Sequence, residues 1–152
     1  MRIRFGLAAV ALGMLAGCAQ KTEDLLLGGW DCLHKPKDAM SDARFEFHFA
    51  GGGDLTGKGV IAHLEQNLTT TRFAIAFKGR WKLEGSELDM DVPETEITEA
   101  KVAGEPVSDA DRDEMSKSLK AAAGTSHIAK LTNTEMTLEE PSSVIACKRL
   151  PG

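Results

Sequence analysis

The stretch FAIAFKGRWKLEGSEL at residues 73–88 decides the fold class of this chain. Its large apolar side chains all occupy odd positions: Phe73, Ile75, Phe77, Trp81 and Leu83. The basic side chains in and just before it occupy even positions: Arg72, Lys78, Arg80 and Lys82. A period of two predicts a strand with one buried face and one wet face. The turn at 84–87 and the apolar series Leu88, Met90 and Val92 then predict an antiparallel hairpin.

Two residues interrupt the regular pattern of this hairpin. Gly79 falls within the apolar series, where it predicts a bend or bulge that curls the sheet. Pro93 lacks the backbone N–H that a strand ladder needs, so the return strand is predicted to end there. Ile97 and Val102 then predict one more short strand.

The same alternation predicts strands on both sides of the hairpin. Two sets of residues occupy alternate positions, as the buried face of a strand requires. They are Trp30, Cys32 and His34, then Phe45, Phe47 and Phe49. The turn residues 50–54 lead into a Gly-containing strand whose apolar series is Val60, Ala62 and Leu64. Three more strands are predicted towards the C-terminus, at 128–131, 136–138 and 144–148.

Two segments carry helical signals. Thr22 and the acids after it predict a single turn that ends at the glycines 28–29. Ser108 stands three residues before Asp111, as in a capping box, and Met115 follows at helical spacing. About eight strands in a meander with one inserted helix predict a mainly β fold, a small antiparallel β-barrel.

The N-terminus predicts export. Arg2 and Arg4 precede an apolar run, at 5–14, that is too short to cross about 30 Å of hydrocarbon, which is typical of a secretory signal peptide. An ordinary signal peptide cut near Ala19 is the simpler alternative. The sequence Leu-Ala-Gly-Cys at 15–18, however, resembles the lipobox of bacterial lipoproteins. The resemblance implies that Cys18 carries fatty acyl chains such as palmitate, and that Ala19 directs the protein to the outer membrane.

This resemblance divides the chain into a signal peptide at 1–17, a lipidated N-terminus and tether at 18–24, and a folded domain at 25–152. It predicts a cell-envelope protein anchored to the outer membrane and facing the periplasm, since two or three acyl chains give a stable anchor. The signal carries two of the 18 basic residues and none of the 23 acidic ones, so the mature net charge is −7. A negative domain argues against a nucleic-acid partner, which needs a clustered positive face.

The cysteines predict one cross-link. If Cys18 is lipidated, Cys32 and Cys147 remain, and export places them where disulfides form and persist. Two buried free thiols are the alternative. Because Cys32 lies on the first predicted strand and Cys147 on the last, a bond between them favours a closed sheet.

Three phrases resemble lipocalin-like barrels of bacterial lipoproteins. They are Leu-Gly-Gly-Trp at 27–30, Phe-His-Phe-Ala-Gly-Gly at 47–52 and Gly-Arg-Trp-Lys-Leu-Glu-Gly-Ser-Glu-Leu at 79–88. The resemblance implies a ligand-binding or accessory role without enzymatic activity. The residues predicted to face a ligand or to form the core are Trp30, His34, Phe45, Phe47, Phe73, Phe77 and Trp81. At this chain length a solid core is the favoured alternative to a ligand cavity.

No pattern predicts catalysis, a cofactor or a metal. The aspartates at 109, 111 and 113 have the spacing that opens a calcium loop, but Glu114 and Lys120 stand where such a loop needs glycine and glutamate. A helix N-terminus explains the same acids. The histidines His34, His48, His63 and His127 have no ligand spacing, and no Gly-x-Ser-x-Gly elbow is present. We therefore expect no catalytic residues.

Two functions remain as hypotheses. The first is a non-enzymatic lipoprotein that binds a small apolar ligand or serves as an envelope scaffold. The second is an inhibitor or interaction module directed at an envelope hydrolase, a lysozyme or a protease. An outward strip could face such a partner: Arg72, Lys78, Arg80 and Lys82. Cross-strand pairing with Glu87, Asp89 and Asp91 would neutralise the same strip without any partner.

Overall fold

The computed structural model describes residues 21–37, 41–64, 69–119 and 124–152. The predicted signal peptide and the lipidation site Cys18 lie outside these residues. Two helices and nine strands follow one another: α1 (Thr22–Leu26), β1 (Gly28–Pro36), β2 (Ser41–Phe49), β3 (Asp54–Leu64), β4 (Thr70–Glu84), β5 (Glu87–Val102), β6 (Glu105–Pro106), α2 (Asp109–Leu119), β7 (Gly124–Leu131), β8 (Glu135–Glu140) and β9 (Ser143–Arg149).

Eight of the strands close into an antiparallel barrel. The sheet order is β4-β3-β2-β1-β9-β8-β7-β5-β6. The first strand of this order, β4, also pairs with β5, which closes the eight strands from β4 to β5 into a barrel. The short β6 pairs only with β5, and α2 is inserted between β6 and β7. The predicted fold class, a small antiparallel meander barrel with one inserted helix, is confirmed.

The hairpin of β4 and β5 forms as predicted, with Glu84 opposite Glu87 across the turn. The bulge at Gly79 is also confirmed, because the register shifts between Lys78 and Arg80. A Cβ at Gly79 would lie 2.0 Å from the carbonyl oxygen of Asp91, so only glycine fits this close approach. The prediction that β5 ends at Pro93 is wrong. Val92 and Pro93 stand opposite the single residue Gly79 in this bulge, outside the regular pairing, and one strand continues to Val102.

The inward face of β3 is the reverse of the predicted one. Val60 lies opposite the outward Arg44, whereas Gly57 lies opposite Phe47 and Gly59 opposite Phe45. A Cβ on Gly57 would meet the Phe77 ring at 2.3 Å, and one on Gly59 would meet the Phe45 ring at the same distance. The rings occupy the space above both glycines, so the inner series of β3 contains too few side chains to show its period.

The closed end of the barrel is built around Trp30. Its indole Nε1 donates to the carbonyl oxygen of Leu26 in α1, 2.8 Å away, and both side chains are fully buried. The guanidinium of Arg149 lies 4.1 Å above the indole ring and donates to the carbonyl oxygens of Leu25 and Leu27. These contacts fix α1 across the barrel as a plug.

Above this plug the core is packed with aromatic rings and one disulfide. Phe49 meets Phe47 at 6.0 Å and Trp81, edge to face, at 5.8 Å between ring centroids. Cys32 and Cys147 face each other in the β1–β9 pairing and are joined by the predicted disulfide. The bond therefore connects the first barrel strand to the last.

The inserted helix begins at the predicted cap. The hydroxyl of Ser108 accepts from the N–H of Asp111 at 3.2 Å and donates to its carboxylate at 2.6 Å. Asp109 pairs with Arg112 at 2.8 Å. The acidic side chains of this turn therefore make contacts that stabilise the start of the helix. Met115 packs against the hydrophobic core, which holds α2 on the barrel.

Candidate ligand-binding cavity

A cavity of ≈ 510 Å³ opens at the end of the barrel opposite α1. On β1 it is lined by His34, near the strand's far end, and not by Trp30; on β9 it is lined by Ile145 and not by Arg149. Its apolar wall consists of Phe45, Phe47, Ile61, Ile75, Phe77, Met90, Val92 and Ile145. Its polar side chains are His34, Thr95, Thr125, Glu140 and Ser142.

The inward glycines of β3, Gly57 and Gly59, help to create this space. Phe45 and Phe77 lean over Gly59 and Gly57 and pack against each other edge to face, with centroids 6.5 Å apart. Phe47 and Phe77 meet at 5.6 Å. The rings therefore lie along the wall of the barrel. The sequence left a solid core and a cavity as alternatives, and the structure combines them: solid near α1, hollow at the other end.

Glu140 is the carboxylate of the cavity. It lies at the end of β8, where the inward series of Met136 and Leu138 continues. The hydroxyl of Ser126 donates to Oε1 at 3.0 Å, and that of Ser143 donates to Oε2 at 2.5 Å. Both serines are buried, whereas 30% of the Glu140 side chain is exposed. The two hydroxyls hold the carboxylate in one orientation at the cavity wall.

His34 faces this carboxylate across a small gap. Its Nε2 lies 4.0 Å from Oε2 of Glu140, which is longer than a hydrogen bond. A quarter of the His34 side chain is exposed. The pair therefore presents two polar groups, one on β1 and one on β8, to whatever occupies the cavity.

The predicted inward residues divide between the two halves of the barrel. His34, Phe45, Phe47 and Phe77 line the cavity. Trp30 and Trp81 belong to the packed core, and Phe73 is half-buried against it. Glu140, Ser126 and Ser143 were not predicted. The sequence contained one signal for Glu140. It follows Met136 and Leu138 at steps of two, so it shares the inward face of β8 with them.

The outward basic strip has acidic neighbours. Arg80 donates to Asp54 at 2.6 Å and to the carbonyl oxygen of Gly52 at 2.8 Å. Lys82 pairs with Glu84, and this hydrogen bond raises the pKa of Lys82 above its ordinary value. Arg80 and Lys82 also lie opposite Asp91 and Asp89 in the strand register, and Lys78 lies opposite Glu94. Only Arg72 faces another base, Lys101, across the strands.

The remaining histidines lie outside the cavity wall. His48 is exposed, His63 contacts the Ser41 hydroxyl at 3.2 Å, and His127 contacts Glu87 at 2.8 Å. Within residues 21–37, 41–64, 69–119 and 124–152, no group of three or more His, Cys, Asp or Glu side chains could hold a metal ion. Across the same residues, no helix has the length and hydrophobicity needed to span a membrane.

This protein is similar to solved structures in its fold, and the comparisons of its sequence found no match. A lipocalin-like protein from Bacteroides uniformis aligns with a TM-score of 0.47 at 15% identity, covering 83% of this chain and 99% of that one. An uncharacterized protein from Bacteroides eggerthii aligns with a TM-score of 0.45 at 12% identity, covering 82% and 98%. No protein-family model matches the sequence, and no curated protein is significantly similar to it. The class of this protein, a small closed β-barrel, therefore rests on its own strand order.

Proposed function

We propose that this protein binds a small apolar ligand inside the barrel. The observation that carries the proposal is the ≈ 510 Å³ cavity with its aromatic wall. Ligand sites in proteins typically measure about 300–1,000 Å³ and combine apolar walls with a few placed polar groups. A chain of about 15 methylenes gains about 12 kcal/mol on burial. After an association cost of at least about 4 kcal/mol, an affinity no tighter than about 1 μM is expected.

Filling the cavity should weaken binding. Ile61 lines the cavity and is half-buried, so Ile61→Trp places a large ring in the volume that a ligand needs. We expect the affinity for a neutral apolar dye such as N-phenyl-1-naphthylamine to fall about tenfold or more, because the ligand loses buried surface worth over about 1.4 kcal/mol. Fluorescence titration of the purified folded domain, residues 25–152, measures this affinity.

Val60→Trp is the matched control. Val60 is the adjacent β-branched residue of β3, it is also half-buried, and it faces outward opposite Arg44. This variant should bind the dye like the unaltered protein. A dye that does not bind the unaltered protein, or that binds both variants equally well, contradicts the proposal.

We also propose that a lipid on Cys18 holds the protein in the outer membrane. The support is the Leu-Ala-Gly-Cys sequence at the end of the apolar run. The full-length chain, expressed in a Gram-negative host with an alkyne-labelled palmitate, should carry the label and sediment with membranes. Cys18→Ser removes the thiol that receives the lipid, so label and membrane fractionation should both be lost. An unlabelled protein in the soluble fraction would contradict the anchor.

The alternative function, inhibition of an envelope hydrolase, stays a prediction. The outward strip that would face such a partner is paired with acids at Arg80 and Lys82. The cavity is the better-supported functional feature because its apolar wall lies open at one end of the barrel.

A further inference from the structure

We propose that the cavity selects amphiphiles with an amine head group over fatty acids of the same length. This inference rests on the proposed ligand-binding function and adds the chemistry of the head group. Its basis is the charge of the wall: among the lining residues that the structure describes, Glu140 is the only carboxylate, and none is a lysine or an arginine. An anionic head group would meet a like charge there, and a cationic one would meet its counter-ion.

The hydrogen bonds of Glu140 leave room for such a ligand. An ionised carboxylate offers about four acceptor positions. Ser126 takes one on Oε1 and Ser143 takes one on Oε2. These hydroxyls act as donors to Glu140, and their burial fixes the carboxylate in place. An ammonium group brings three N–H donors, and two of them can use the two acceptor positions that remain.

His34 does not occupy those positions. The 4.0 Å between its Nε2 and Oε2 of Glu140 exceeds hydrogen-bond distance. A head group that donates to Glu140 therefore displaces no hydrogen bond between these two side chains. The apolar wall on β2, β3 and β4 then takes the hydrocarbon chain, and its aromatic rings are those of Phe45, Phe47 and Phe77.

The test compares three ligands of one chain length: dodecylamine, dodecanol and dodecanoate. Each displaces the neutral dye from the purified folded domain at about pH 7.5, where the amine is cationic and the acid anionic. We expect dodecylamine to bind about tenfold or more tightly than dodecanoate, with dodecanol between them. Glu140→Gln keeps the size of the side chain and removes its charge, so the two affinities should become nearly equal.

Glu139→Gln is the matched control. Glu139 is the exposed neighbour on β8, so its substitution changes the net charge equally without altering the cavity. It should leave the order of ligands unchanged, which separates the cavity charge from the general attraction of an acidic protein for amines. His34→Lys is a second variant, which adds a cation beside Glu140 and should shift the preference towards dodecanoate even if Glu140→Gln unfolds the domain.

The outcomes separate this inference from the function on which it rests. If the dye does not bind, the proposed function fails. If the dye binds but none of the three ligands displaces it, the amine preference is wrong. If dodecanol binds but the amine and the acid bind equally, or the acid binds more tightly, the amine preference is wrong while ligand binding stands. An amine preference that survives in Glu140→Gln, or that falls equally in Glu139→Gln, would also overturn it.

Discussion

Replacing both Cys32 and Cys147 with alanine is expected to lower the free energy of unfolding by about 4 to 5 kcal/mol. The bond joins residues 115 apart in sequence, so its loss frees almost the whole domain in the unfolded state. Native proteins have total stabilities of about 5 to 15 kcal/mol, so this loss is a large share of the total. Urea denaturation followed by tryptophan fluorescence measures the difference.

Reduction of the unaltered protein provides the control for this experiment. Dithiothreitol breaks the same cross-link without changing the core, so the reduced protein should unfold at nearly the same urea concentration as the double variant. A midpoint that does not move on reduction would contradict the disulfide. So would a mass spectrum of the oxidised protein that shows two free thiols.

The second large effect is expected at Trp30. Trp30→Ala should lower the free energy of unfolding by about 3 to 5 kcal/mol, because it leaves a cavity beneath α1. It also removes the donor to Leu26 and the ring beneath Arg149. Trp30→Phe keeps most of the ring and should cost about 1 to 3 kcal/mol, since the buried carbonyl of Leu26 loses its partner. Thermal and urea unfolding measure both.

Leu33→Ala is the comparison on the same strand. Leu33 faces outward on β1 and is 41% exposed, so its truncation should cost little. An equal loss for Leu33→Ala and Trp30→Ala would show that α1 and Trp30 do not form a packed plug. Trp30→Phe should bind the dye normally, because the cavity lies at the other end of the barrel.

The hairpin and the strands with regular side chains could be predicted from the sequence. In β4, Phe73 to Leu83 keep one parity over five large residues, and the turn at 84–87 follows directly. The closure of the sheet was also accessible, because Cys32 and Cys147 lie on the predicted first and last strands. These predictions held because periodicity is a local property of the chain.

The errors share a physical cause. Gly57 and Gly59 contribute no side chains to the inner face of β3, so the outward Val60 and Ala62 supplied its only visible period. Pro93 would break a regular ladder, but it lies in a bulge of β5, where two residues stand opposite Gly79 alone and the regular pairing is interrupted. The inward face of β3 and the continuation of β5 past Pro93 both depend on the neighbouring strand. The pattern of residues within a single strand contains no information about its neighbour.

The cavity could not be predicted for a related reason. Parity tells which side chains point inward, but it does not tell whether they meet at the centre. That depends on the number of strands in the barrel and on rings that lean sideways over glycine. Glu140 shows the same limit: its inward direction follows from β8, but its serine partners come from β7 and β9.

The plug at α1 determines which way an anchored barrel would face. The described chain enters at Lys21, directly before α1, and the cavity opens at the far end of β1. Nine residues of tilted strand separate the two ends by roughly 20 to 30 Å. With the proposed lipid on Cys18, the end of the barrel that α1 closes would lie next to the membrane, and the open end of the cavity would face the aqueous periplasm. Its ligand would then be exchanged with water or with a soluble donor, and not drawn straight from the bilayer below.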